Sequence, residues 1–275
     1  MKNGVENSIL ETPKDWRVKA LGDVASINMG QSPSSSAYNE EENGIPLIQG
    51  NADIKKRKTV PRTWTTEFPK ECQVGDIIMT VRAPVGAIAR SLHHACLGRG
   101  VCAITSKVVD NGYLYQYLLS YETKWAAIEQ GSTFTAVNGN EIRKIEILLP
   151  PLAEQRKIAE ILSTLDEKMT VIDEQLAQTQ ELKKGLMQRL LTKGIGHTQF
   201  KNSPLGQIPA SWHVAHVEEI ATIKTGAKDT QNKEELGKYP FFVRSQTIER
   251  INTYSFDGES VLTAGDGVGV GKVFH

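Results

Sequence analysis

Residues Leu149–Lys193 read LPPLAEQRKIAEILSTLDEKMTVIDEQLAQTQELKKGLMQRLLTK, and this stretch decides the architecture. After Pro150-Pro151 it holds no proline and one glycine, Gly185. The prolines stop whatever precedes them, and Pro151 suits a first helical turn, where a missing N–H costs nothing. Glu154 then falls at the positive end of the helix dipole, and Lys183, Lys184, Arg189 and Lys193 gather at the negative end. Apolar side chains recur in a 3-4 pattern at Ile158, Leu162, Leu165, Met169, Ile172, Leu176, Leu186 and Leu190. A narrow stripe with charge elsewhere is the pattern of a coiled-coil helix. Thr179 and Lys183 interrupt the stripe, and Gly194-Ile195-Gly196 ends it. Such a helix would be roughly 60 Å long, more than a small domain needs, so it is read as a spacer or an assembly element. Alone in water it is not stable, and its stripe must pack on its own domains, on a second copy of itself or on a partner protein.

The residues on either side of this helix repeat. Trp16-Arg17-Val18-Lys19-Ala20-Leu21-Gly22-Asp23-Val24-Ala25-Ser26-Ile27 leads to Gly30, and Trp212-His213-Val214-Ala215-His216-Val217-Glu218-Glu219-Ile220-Ala221-Thr222-Ile223 leads to Gly226, at a constant offset of about 196 residues. Ile45-Pro46-Leu47-Ile48 parallels Tyr239-Pro240-Phe241-Phe242, and Gly75–Thr80 parallels Gly258–Thr263, with Gly86 opposite Gly269. The chain is expected to carry a domain over 1–150, the helix over 151–194, a polar linker over 195–211 and a partial second copy of the domain over 212–275. Copy two stops near its midpoint, which is expected of either a shortened protein or a piece of a longer one.

Within copy one, Ile77–Val81 and Val101–Ile104 read as buried strands, Gly112–Ile128 as a helix and Ile142–Leu149 as a last strand. Short strands mixed with a few helices predict an α+β fold. Charge is balanced, 32 basic residues against 32 acidic, so affinity for nucleic acid has to come from a local patch. Cys72, Cys96 and Cys102 form an odd set without paired spacing, which favours a reducing compartment over a disulfide framework. No apolar run resembles a signal peptide or a membrane span, and a cytoplasmic location is expected.

Enzymatic chemistry finds little support. The one Pro-Pro, Pro150-Pro151, is not the Asn/Asp-Pro-Pro-aromatic loop that holds a flipped adenine in a methyltransferase. Gly265-Asp266-Gly267-Val268-Gly269-Val270-Gly271-Lys272 has the wrong spacing for a phosphate-binding loop, and Val273 stands where its Ser/Thr belongs. His93, His94, Cys96 and Cys102 match no common zinc spacing, so buried thiols and surface histidines are the better reading and no metal is assigned.

DNA binding has modest local support. Lys55, Lys56, Arg57, Lys58 and Arg62 suit phosphate contacts, against the plain alternative of a solvated charge run. Gln49 and Asn51 flank Gly50, where an amide can approach an adenine edge, although such turns also exist for geometry alone. Arg82, after a buried strand, is placed to reach a guanine or to pair with a carboxylate. Ser132 and Thr133 occupy another exposed-looking loop beside Phe134.

These features together resemble the specificity subunit of type I restriction–modification systems. The resemblance rests on Leu149-Pro150-Pro151-Leu152-Ala153-Glu154-Gln155 opening a long helix, on the Trp-centred repeat, on Gly131-Ser132-Thr133 before that helix, and on Ser203–Trp212 before the second Trp. It implies two target-recognition domains, each reading half of a bipartite site in double-stranded DNA. It also implies two long helices that form an antiparallel coiled coil, set the gap between the halves and dock methyltransferase subunits. Restriction subunits would join through the methyltransferases. The resemblance places S-adenosylmethionine, ATP and Mg in those partners, with no catalytic residue or cofactor in this chain. The chain departs from the family pattern in lacking half of the second domain and its helix. For a naturally short chain, antiparallel pairing of two copies through the helix is expected, because two-fold pairing satisfies the stripe on both. A coiled-coil adaptor that binds the methyltransferase without DNA is the competing reading.

Overall fold

A computed structural model describes residues 13–131, 136–245, 247–264 and 270–275. The chain forms two compact units, Met1–Glu181 and Leu182–His275. In the first unit the elements run β1 (Arg17–Ala20), α1 (Leu21–Val24), β2 (Ala25–Met29), β3 (Tyr38–Asn39), β4 (Ile45–Ile48), β5 (Ile54–Lys55), β6 (Lys58–Thr59), β7 (Trp64–Thr65), β8 (Glu71–Cys72), β9 (Ile77–Thr80), β10 (Ile88–Arg90), β11 (Ala95–Leu97), β12 (Val101–Ser106), α2 (Asn111–Gly131), α3 (Gly139–Arg143) and β13 (Glu146–Leu149). Then comes α4 (Leu152–Lys193), whose last turns fall in the second unit. The fold is α+β, and the long helix starts and ends within a residue of its expected bounds.

Strands order as β2-β12-β9-β10-β6-β5 in one sheet and β3-β7-β4-β11-β8 in another, with β1 paired to β13. The expected strands β9 and β12 are central, and period-two alternation explains their unbroken apolar sequence. Ile77, Met79, Cys102 and Ile104 face one core with Leu114, Leu118 and Trp125 of α2. Ile78, Val101 and Ala103 face the other way, into a second core with Ile48, Cys72, Ala95 and Leu97. Gly86 turns the chain between β9 and β10 at φ 87°, and a Cβ there would stand 2.3 Å from the Trp125 ring, so this turn presses directly on α2.

One expected strand is corrected. Ile142 belongs to α3, and β13 begins only at Glu146. Asn138 caps the helix, its Oδ1 accepting from the amides of Asn140 at 2.9 Å and Glu141 at 3.1 Å. Glu141 returns the bond by accepting from the Asn138 amide at 2.8 Å. This capping box outweighs the β-branched residues that suggested a strand.

α4 leaves the domain on a short, well-fixed base. The Gln155 side chain is buried; its Oε1 accepts from the Asp110 amide at 2.9 Å and its Nε2 donates to the Pro150 carbonyl at 2.8 Å. Ala159 packs so closely on α2 that a Cβ on Gly112 would lie 2.9 Å from its own. Gln116 donates to Asp166 at 2.6 Å, and from Thr164 to Lys193 every residue of α4 is exposed. Ile158 is half-buried, whereas Leu162, Leu165, Met169, Ile172, Leu176, Leu186 and Leu190 are all exposed.

The second unit holds β14 (Phe200–Ser203), β15 (Gly206–Pro209), α5 (Val217–Ile220), β16 (Tyr239–Phe241), β17 (Glu249–Ile251), β18 (Leu262–Thr263) and β19 (Val273–Phe274), its strands joined in pairs. The β14–β15 hairpin occupies the stretch read as a linker, turning at Gly206 with φ 95° and burying Ile208. α5 falls on α1 at the offset of the repeat. His213–His216, the counterpart of β1, forms no strand, because β1 is held by β13 and the described part of copy two contains no equivalent of β13. Among the described residues no helix is long and apolar enough to cross a membrane.

Candidate nucleic-acid interface

Sheet register gathers four chain segments at one end of the first unit. Thr80 pairs with Val101, Met29 with Cys102 and Ile48 with Leu97, so the segments following β2, β4 and β9 meet the β11–β12 turn. Backbone hydrogen bonds tie them together: the Gly30 amide donates to Val101 at 3.0 Å, Gln31 to Leu97 at 2.8 Å, Gly98 to Ile48 at 2.8 Å and Val81 to Gly100 at 2.9 Å. A Cβ on Gly100 would sit 2.1 Å from the Gln49 carbonyl oxygen, so glycine is required for this approach. The segments enclose an open cleft of about 320 Å³ lined by Ser32, Gln49, Gly50, Asn51, Arg82, Ala83, Arg99 and Gly100. Its side chains are amides, a hydroxyl and two guanidinium groups, and none of the lining residues is acidic.

Three of the sequence-selected residues, Gln49, Asn51 and Arg82, therefore share one cleft. Beneath them Asp53 is buried; its Oδ2 accepts from the Gln49 amide at 2.8 Å and its Oδ1 from Arg62 Nε at 2.9 Å. Arg62 thus fastens the turn that presents Gln49 and Asn51, and its charge is already matched. Arg57 is also engaged, donating to Glu122 of α2 at 2.5 Å while Glu122 accepts from the Ile88 amide at 2.7 Å. That pair anchors the β5–β6 hairpin on the helix.

Lys55, Lys56 and Lys58 are the free cations of the hairpin, exposed and without an ion pair among the described residues. Lys55 and Lys58 are register partners, an opposition of like charges that destabilises a strand pair unless an anion lies between them. Because β6 runs parallel to β10 and β10 antiparallel to β9, the turn points toward the cleft end of the sheet, while Lys58 and Lys55 stand level with Arg90 and Ile77, at the other end of β9 from Thr80. Ser132 and Thr133 lie outside the described residues, as does most of the Gly265–Lys272 run. The stripe residues of α4 are not part of this arrangement.

Arg99 was missed in the sequence because a lone cation between two glycines makes no charge run; the signal was Gly98-Arg99-Gly100 between two apolar strands. The cysteines play no part in the cleft. All are buried and free, and burial pushes the Cys102 thiol up to about 12. His93 Nδ1 lies 3.1 Å from the Thr59 hydroxyl and His94 pairs with Glu71, and no metal-holding group of His, Cys, Asp and Glu forms among the described residues.

Comparison with known proteins adds the family. The family model for the type I restriction modification DNA specificity domain matches residues 13–183. The MjaX type I restriction enzyme specificity subunit of Methanocaldococcus jannaschii is 36% identical over 195 residues, 70% of this chain and 46% of that protein. The HsdS subunit from Thermoanaerobacter tengcongensis is 31% identical with a TM-score of 0.55, over 66% of this chain and 46% of that one. A chain from a structure on complex assembly and conformational transition of the type I R-M system is 34% identical with a TM-score of 0.59, over 67% and 47%. The chain spans about half the length of these relatives. It belongs to the family of type I restriction–modification DNA specificity domains.

Proposed function

We propose that the chain is a sequence-recognition component of a type I restriction–modification complex, binding double-stranded DNA through the first unit and carrying no catalytic step of its own. The observation that carries this reading is the acid-free cleft at one end of a specificity-domain fold, with a hairpin of three unmatched lysines whose turn points the same way. Lys55, Lys56 and Lys58 contact phosphates, while Gln49, Asn51 and Arg82 approach base edges. Arg57 and Arg62 act one step back, holding the hairpin and the turn in place. The exposed stripe of α4 supports a packing role, with methyltransferase subunits or with a second copy of the chain. Restriction subunits join through the methyltransferase, and S-adenosylmethionine, ATP and Mg act in those partners, in the cytoplasm.

One experiment addresses both parts: a mobility shift on duplex DNA at low and moderate salt, with and without methyltransferase subunit, and sedimentation of the same samples. Salt-sensitive, sequence-selective binding that sharpens with the partner is expected, together with a mass above that of one chain. Capture of the methyltransferase without DNA selectivity would leave the adaptor reading. A single-chain mass at micromolar protein would remove the self-pairing of α4.

A further inference from the structure

We propose that Arg99 is a base-reading residue, its guanidinium directed to the O6/N7 edge of a guanine that enters the cleft from the major groove. The assignment rests on the DNA-recognition reading above and goes past it in naming the residue and the base.

Three observations carry it. First, Arg99 stands on a turn that its surroundings fix from several sides. Its own amide donates to the Ser32 hydroxyl at 3.2 Å, the Gly98 amide to Ile48 at 2.8 Å, the Val101 amide to Gly98 at 3.2 Å and the Val81 amide to Gly100 at 2.9 Å. A Cβ on Gly98 would lie 3.0 Å from the Gln49 Cα, so the turn is pressed backbone to backbone on the neighbouring segment. A side chain on such a base loses less freedom when it adopts one aim. Second, the guanidinium is uncommitted. Arg57, Arg62, Arg90 and Arg143 are held by Glu122, Asp53, the Tyr115 ring and Asn140 respectively, whereas the Arg99 side chain has no hydrogen bond or ion pair among the described residues. Third, its setting suits a base edge better than a phosphate. Phosphate contacts are made well from exposed lysines such as those of the β5–β6 hairpin. Arg99 instead lines a concavity with Gln49, Asn51 and Ser32, whose amides and hydroxyl can donate to and accept from base edges. The guanidinium fork matches the paired acceptors of guanine, which no other base presents in the major groove.

The test is selection of a randomised duplex pool by the full chain, with the bound fraction sequenced, for wild type, Arg99→Lys and Arg99→Ala. R99K keeps the charge and removes the fork. The expected result is that wild type enriches a guanine at one position and that both variants lose preference there by about ten-fold or more. Preference at the other positions remains, and R99K keeps the wild-type salt dependence. If R99K binds and selects as wild type while R99A weakens binding uniformly with a shallower salt dependence, Arg99 is a phosphate contact and the proposal fails. If both variants select as wild type, the residue is idle and the proposal fails. Absence of any enrichment by the wild-type chain, alone and with the methyltransferase subunit, would instead overturn the DNA-recognition reading.

Discussion

Lys56 and Arg57 hold φ of 46° and 64°, a left-handed pair that Asn-Gly occupies with far less strain. Two long cations there, beside the opposed Lys55 and Lys58, make the hairpin poorer as a turn than its length allows. Strain of this sort survives where the strained group is used. Lys56→Asn is therefore expected to raise stability in urea unfolding by about 0.5–1 kcal/mol. The same change should weaken DNA binding across all sequences and reduce the slope of log K against log salt by about 1. A variant that changes neither would mean the lysine is only a solvated charge. At this scale the sequence showed where the cations are but not which are spent. Arg57 meets Glu122 through the packing of α2, and Arg62 meets an Asp53 that only tertiary folding buries. Nothing local distinguishes those two from Lys56.

Elements were more legible. β9 and β12 announced themselves because burial on both faces forces continuous apolar runs, and α4 because its stripe, prolines and end charges all agree. α3 was misread because its apolar residues are β-branched, although Asn138 and Glu141 already spelled a cap. The docking of α4 was not legible, since its buried base consists of Gln155 and Ala159, a polar and a small residue inside a charged helix. Gln155 ties the start of α4 to Asp110, at the entry to α2, and to Pro150. Gln155→Leu roughly keeps the volume and removes both bonds, leaving a part-buried amide and a buried carbonyl unpaired. A loss of about 1–3 kcal/mol is expected in urea unfolding, with faster hydrogen exchange at the Asp110 amide. An unchanged Asp110 amide would show that water replaces the glutamine and that the helix base does not depend on it.

At the scale of the whole molecule the repeat supplies an internal control. Leu21, Val24 and Ile27 of copy one are 0%, 3% and 8% exposed, while their counterparts Val217, Ile220 and Ile223 are 59%, 75% and 70% exposed. The same pattern makes a core in one copy and a surface in the other, because α2 and α3 pack with these residues in the first and the described part of the second has no equivalent of either helix. Periodicity marks which side chains want burial but not whether the covering helices are there, so the sequence repeat was legible and the uneven burial was not. Paired substitutions measure the difference. Ile27→Ala should cost about 2–5 kcal/mol in urea unfolding, whereas Ile223→Ala should stay within about 0.5 kcal/mol of wild type. Equal costs would mean that Ile223 is covered in solution. Dilution then identifies the cover: a cost for I223A that shrinks as protein concentration falls points to a second copy, because burial between chains follows mass action and burial within one chain does not.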